Sequence, residues 1–305
     1  MWDGACSTGV FPDGPAHQKS TRRLFGGRPR DVAVEGGSRR RGRSKTSGNS
    51  ALTLILTARR LAPIDRAALL TRVVERVRGL RRSGGPAPVC VFDLDGTLMD
   101  NRPRTVAIVH ELGALWRSRR PDAADACARA APGDIGYGFV DNLTRIGVVD
   151  PDLHEEGLAF WRARFFTDEY QRHDVEIPGA IAFVRACHEA GAVVVYLTGR
   201  DLPGMAIGSF KSLRDVGFPI GEIGTELVVK PKFEIPDADF KRTAAPALAR
   251  LGRVVAAFDN EPANVNVFFD AYPDCVSVFL DTQYAPDPPA LDPRAAVIDD
   301  FGATT

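Results

Sequence analysis

Two aspartates, Asp93 and Asp95, stand two residues apart at the end of the apolar run Val89-Cys90-Val91-Phe92, within the stretch VCVFDLDGTLMD. Like charges that close raise each other's pKa and repel. A hard divalent cation would offset this cost, since Mg²⁺ takes oxygen ligands and often uses only one or two carboxylates. Other groups of chemical interest also sit where apolar runs stop. Thr198, Gly199 and Arg200 follow VVVYL, and Asp259, Asn260 and Glu261 follow RVVAAF. Lys241 opens a helical stretch between the third and fourth of these runs, and Lys232 lies a little before it.

The elements that must position these groups alternate along the chain. The stretch 64–85 has Leu69, Leu70, Val73, Val74, Val77 and Leu80 at helical spacing and closes on Gly84-Gly85. From residue 178 onward, helical stretches alternate with the apolar runs 192–197, 226–230, 253–258 and 275–280. Continuous apolar strands are expected when helices cover both faces of a parallel sheet. The predicted fold is α/β, a doubly wound, Rossmann-like parallel sheet whose ligand lies beyond the carboxyl ends of the strands. Residues 100–176 interrupt the rhythm with helical patterns and little strand, and a segment inserted there would lie over the tip of the first strand as a lid. The expected organisation is a disordered basic tail over 1–55, a core over 56–99 and 177–305, and a small helical domain over 100–176.

Composition sets the limits. The 305 residues are 44% hydrophobic and 26% charged, which suits an ordinary globular chain. Net charge is zero, yet residues 1–50 carry ten Lys/Arg against four Asp/Glu, so the remainder is acidic by six charges. The five cysteines form no C-x-x-C pair and their number is odd, which points to buried thiols in a reducing compartment and a cytoplasmic location. No apolar run approaches the length that crosses a bilayer, so no membrane partner is expected. His110, His154, His173 and His188 show no metal-ligand spacing and read as surface or packed histidines.

The pattern D-x-D-G-T-L, then hydrophobic-T-G-R, then Lys, then hydrophobic-D-N resembles the haloacid dehalogenase superfamily of phosphotransferases over roughly residues 88–282. The insertion after the first motif is similar to that family's cap. The resemblance implies that Asp93 is a nucleophile forming an aspartyl-phosphate, and that Asp95 is first general acid and then general base. It implies Mg²⁺ held by Asp93, the backbone carbonyl of Asp95 and Asp259. Thr198 and the Gly199 N–H would bind phosphoryl oxygen, with Lys241, in preference to Lys232, neutralising its charge. Arg200 would either bind substrate phosphate or brace an acid. Many relatives carry a second acid shortly after Asp259; here Asn260, Ala263 and Asn264 occupy those places, so Asn260 and Glu261 are the expected support around the metal.

The implied activity is Mg²⁺-dependent hydrolysis of a small phosphorylated metabolite. A polynucleotide 3′-phosphatase is an alternative that the basic tail and the T-G-R motif invite, but the acidic catalytic part and the absence of a P-loop argue against a nucleic-acid partner. Dehalogenases lack the second aspartate that Asp95 supplies, and phosphonatases need a cap lysine that residues 101–176 do not contain. A non-catalytic binding protein on the same fold is a further alternative, opposed by the intact set of Asp93, Asp95, Thr198 and Asp259. Arg102 and Arg104, just after the first motif, are candidates for an anionic substrate or for plain solvated charges. Oligomeric state is left open by the sequence.

Overall fold

The computed structural model describes residues 59–302; the expected tail over 1–55 lies outside them. Seven strands form one sheet: β1 (Arg59–Arg60), β2 (Pro88–Phe92), β5 (Val193–Asp201), β6 (Thr225–Lys230), β7 (Arg253–Asp259), β8 (Val276–Leu280) and β9 (Ala296–Ile298). Their order is β1-β9-β8-β7-β2-β5-β6, and every pairing is parallel. Succession runs outward from β2 through β5 to β6, then crosses to β7 and continues outward the other way. The order therefore reverses between β2 and β7, and a crevice opens beyond the carboxyl ends of strands at such a point.

Each central strand is buried on both faces. In β2, Cys90 and Phe92 pack on one side with Val73, Val77 and Phe183. Val89 and Val91 pack on the other with Phe240, Leu248 and Phe268. These partners come from α1 (Pro63–Arg82) and α6 (Ala180–Glu189) on the first face, and from α8 (Asp237–Ala247), the 3₁₀ turn Leu248–Arg250 that follows it and α9 (Pro262–Ala271) on the second. Phe92 stacks on Phe258 with ring centroids 5.0 Å apart, which ties the two site-bearing strands together just below their tips. The remaining core helix is α7 (Leu202–Val216).

The segment after the first strand is bounded by two short strands, β3 (Met99–Asp100) and β4 (Val175–Glu176), which pair antiparallel. Between them lie α2 (Arg102–Trp116), α3 (Pro121–Ala128), α4 (Phe139–Arg145) and α5 (Pro151–Phe165), with 3₁₀ turns at Pro132–Asp134 and Tyr170–His173. Their apolar faces form a cluster of their own, around Val109, Leu112, Trp116, Cys127, Leu143 and Leu153.

The structure departs from the sequence expectations at the short strands β3 and β4 and in two further places. The second predicted strand continues beyond Leu197 through Thr198-Gly199-Arg200-Asp201, with an irregularity against β6 there. The strands β1 and β9 were not expected; β9 spans only three residues after a proline-rich loop, too short for a periodicity to show.

Candidate active site

The site begins where β2 stops. The Asp93 N–H donates to Phe258 O at 3.0 Å, which keeps the chain in register with β7 for one residue beyond the strand. The backbone then folds into a tight turn in which the N–H groups of Thr97, Leu98 and Met99 all converge on Leu94 O. Leu94 is fully buried, anchoring the turn between the two aspartates. Gly96 sits at φ 75°, and a Cβ there would fall 2.3 Å from Asn260 Nδ2. Conformation and close approach both require glycine at this point.

The turn aims the two aspartates at different cations. Lys241 Nζ, from α8, donates to Asp93 Oδ1 at 2.7 Å and to Asp259 Oδ2 at 2.6 Å. All three groups are buried. Thr97 Oγ1 donates to Asp93 Oδ2 at 3.3 Å and lies 3.2 Å from Asn260 Oδ1, while the Asn260 amide donates to Gln283 O. Asp259 Oδ1 accepts from the Glu261 N–H at 2.9 Å and from Asn264 Nδ2 at 3.1 Å. The Glu261 side chain turns away, accepting from the Ala285 N–H, and burial pushes its carboxyl up to about 7. Lys232, the competing lysine, is exposed, and Lys230 is paired with Asp237.

Asp95 is held by arginines. Arg200 grips it bidentately, Nε to Oδ2 and Nη2 to Oδ1, each at 2.8 Å. Arg104 Nη2 adds a contact to Oδ1 at 3.2 Å and Asn101 Nδ2 another at 3.2 Å. Both arginines also bind the buried Asp174: Arg200 Nη2 at 2.7 Å, and Arg104 through Nε at 2.8 Å and through Nη2. Gln171 Oε1 and Ser209 Oγ accept from Arg200 Nη1. Of the two expectations for Arg200, its hydrogen bonds fall on the side of bracing an acid; a substrate contact would have to share donors already engaged. Burial alone would raise the Asp95 pKa, but Arg200 and then Arg104 override it and hold the carboxyl well below the ordinary range. Arg104 is fully buried and so is not a solvated charge, while Arg102, at the start of α2, pairs with Asp100 with its side chain half exposed.

Thr198 is buried, and its hydroxyl accepts from the Arg200 N–H at 3.2 Å. It does not cap the following helix; Asp201 does, accepting from the Gly204 N–H. At Gly199 a Cβ would lie 2.2 Å from Asp237 Oδ2, so a larger residue would push that carboxylate aside. Asp93, Asp95, Thr198, Gly199, Arg200, Lys241, Asn260 and Glu261 all line one cavity of about 370 Å³. Asp259 lies beneath its floor and reaches the group through Lys241.

The charges of this cluster do not balance. Lys241, Arg200 and Arg104 face Asp93, Asp95, Asp174 and Asp259, three cations against four carboxylates. Burial, reinforced by Asp259 and Asp95, raises the Asp93 pKa above its ordinary value despite the opposing pull of Lys241. Among the described residues no three His, Cys, Asp or Glu side chains form a metal cage. The donors are carboxylate and carbonyl oxygens, a type that suits Mg²⁺ with its remaining positions filled by water and substrate. The surplus negative charge favours such a cation, so the residues fit the metal by donor type and by charge.

Several residues in this arrangement had no role assigned from sequence, Thr97, Asn264 and Asp174 among them. Thr97 was visible inside the first motif. Asn264 was visible only as a departure from the acidic pattern. Asp174 carries no local signal, because its partners come from α2 and β5.

A sheet that reverses between β2 and β7, with aspartates at both tips and a buried lysine between them, defines a doubly wound α/β protein with a charged crevice at its switch point. Residues 87–271 match the family model for haloacid dehalogenase-like hydrolases, and the chain belongs to that family. No curated protein matches the chain. Solved structures similar to it include a predicted phosphoglycolate phosphatase from Haemophilus somnus, at 14% identity and TM-score 0.42, covering 70% of this chain and 94% of that one. A HAD-superfamily hydrolase of subfamily IA from Geobacter sulfurreducens aligns at 12% identity and TM-score 0.41, covering 71% and 94%. A predicted phosphatase from Clostridium acetobutylicum aligns at 13% identity and TM-score 0.41, covering 69% and 94%.

Proposed function

We propose that the protein is a Mg²⁺-dependent phosphomonoesterase that works through an aspartyl-phosphate on Asp93. The observation that carries this reading is the buried trio in which Lys241 Nζ joins Asp93 and Asp259 at the tips of adjacent strands. An Asp93 oxygen attacks phosphorus, the bond from phosphorus to the alkoxy oxygen breaks, and that oxygen leaves with the electron pair and takes up a proton from solvent water. Water then hydrolyses the acyl phosphate, releasing inorganic phosphate and restoring Asp93. Lys241 stays protonated between its carboxylates and offers positive charge to the phosphoryl group. The Thr198 hydroxyl and the Gly199 N–H supply directed donors. Asp93, the Asp95 carbonyl and Asp259 would hold Mg²⁺, which when bound neutralises phosphoryl charge.

Asp95 is set for the second half of the reaction. As an anion pinned by two arginines it can accept a proton from the attacking water. Donating a proton to the leaving oxygen would require protonating it against both arginines, so the basic role is the one this geometry supports. Residues 56–99 and 177–305 form the catalytic core in this reading and 100–176 the cap, supported by the cap's separate apolar cluster and by the β3–β4 pairing at its base. No helix among the described residues is long and apolar enough to cross a membrane. The four free, buried thiols support a reducing, cytoplasmic setting. Phosphate release from a panel of small phosphoesters, with and without Mg²⁺, tests the reading; release from none of them would remove it.

A further inference from the structure

The cavity over Asp93 has two unlike halves. Its floor carries the charges described above. The wall facing them is aromatic and comes from the helical segment: Phe139, Trp161, Phe165 and Phe166. Phe139 stacks on Trp161 with centroids 5.2 Å apart, and Trp161 lies 4.5 Å from Phe165. Phe166 meets Phe165 edge to face at 5.0 Å and meets Phe233, from the core, in the same way. The rings are therefore held in place by one another before any ligand arrives.

Tyr137 adds a further ring with a neutral hydroxyl to this wall, and the polar side chains Asn142, Thr105 and Asn101 are already engaged. Asn142 exchanges two hydrogen bonds with the Gly136 backbone, at 2.7 and 3.0 Å. Thr105 Oγ1 accepts from Trp161 Nε1 at 3.4 Å, and Asn101 donates to Asp95. Among the described residues lining the cavity, the side-chain cations are Lys241 and Arg200, each already between two carboxylates. Asp237 and Glu261 add acidity at the rim. A leaving group with its own carboxylate or second phosphate would thus be buried without a counter-charge, which is strongly unfavourable. A ring would meet matching faces.

We infer that the substrate is a phosphomonoester of an uncharged, ring-bearing alcohol, whose ring lies against Trp161, Phe165 and Phe166. This rests on the phosphomonoesterase reading and names the substrate class for the same cavity. The shared chemistry, an uncharged planar ring, could come from an aromatic alcohol or from a nucleoside.

The test compares kcat/KM of the full chain with Mg²⁺ for benzyl, methyl and 2-carboxyethyl phosphate, with adenosine 5′-monophosphate as the nucleoside arm. The leaving groups are all alkoxides of primary alcohols or methanol, so intrinsic reactivity does not dominate the comparison. Benzyl phosphate or the nucleotide should exceed methyl phosphate by about tenfold or more, a usual discrimination for a hydrophobic pocket, and 2-carboxyethyl phosphate should fall below it. In Phe166→Ala and Trp161→Ala the ratio of ring-bearing to methyl ester should collapse toward one. Calorimetric binding of benzylphosphonate against methylphosphonate separates the two readings. A preference for the benzyl compound without hydrolysis of any ester would keep the aromatic site and remove the phosphatase. Hydrolysis without ring preference, 2-carboxyethyl phosphate as the best ester, or no preference in either assay would overturn the inference.

Discussion

At the scale of single residues, the site consists of two aspartates separated by their cations: Asp93 shares Lys241 with Asp259, and Asp95 shares two arginines with Asp174. The like charges of the D-x-D motif are thus offset in part by protein groups, and the residual negative charge is what a metal would answer. Asp95→Asn should accumulate phosphoenzyme, because the variant cannot take a proton from the attacking water. Rapid mixing should show a burst of about one alcohol per enzyme followed by turnover slowed roughly 10²–10⁴-fold, with a loss similar for poor and activated leaving groups. A loss confined to poor leaving groups would instead assign the proton-donating role. Arg200→Met leaves the buried Asp174 with Arg104 as its remaining guanidinium, and breaking a buried pair from one side costs roughly 3–5 kcal/mol; chemical denaturation measures it, and a loss below 1 kcal/mol would contradict the bracing role. The motif residues were legible because they are neighbours in sequence at the ends of apolar runs. Asp174 was not, and Arg104 was noticed only as a charge near the site mouth and not as a partner of Asp95, because the network joins opposite ends of the helical segment to a strand of the core.

At the scale of elements, the turn after β2 decides where the aspartates point. Gly96→Ala would place a side chain at φ 75° and a Cβ against Asn260, whose amide also holds the 283 loop. A left-handed non-glycine residue alone costs roughly 1–2 kcal/mol, so the variant should lose at least that much stability and should also lose activity as Asn260 shifts. Unchanged stability would show that the turn relaxes freely. The central strands were readable as apolar runs because both faces of the sheet are covered, and the helix starts because proline or a capping aspartate marks them. The short strands β3, β4 and β9 were not, since two or three residues carry no periodicity; pairing with a neighbour creates them. The aromatic wall was visible as FWRARFF, yet nothing local in that string says it faces a cavity.

At the scale of the whole molecule, the core is dense enough to hide its thiols. Cys90, Cys127, Cys187 and Cys275 are buried, and burial pushes Cys127 up to about 11 and Cys275 up to about 12. In a Cys6→Ser variant a thiol reagent at neutral pH should therefore react slowly with the folded chain and with all four thiols after unfolding; rapid labelling of the folded protein would mean the packing is looser than described. The same molecule brings β2, β5, α8 and β7 to one edge, so that Asp93, Thr198, Gly199 and Lys241 surround one cavity. The most direct test of this account is steady-state phosphate release by wild type and Asp93→Asn, each titrated with Mg²⁺ and with EDTA, on a phosphoester that wild type hydrolyses. The account predicts that wild-type activity rises with Mg²⁺ and vanishes in EDTA, and that Asp93→Asn, still folded, falls by roughly 10³-fold or more at every Mg²⁺ concentration. Full wild-type activity in EDTA, or substantial turnover by the folded Asp93→Asn variant, would contradict it.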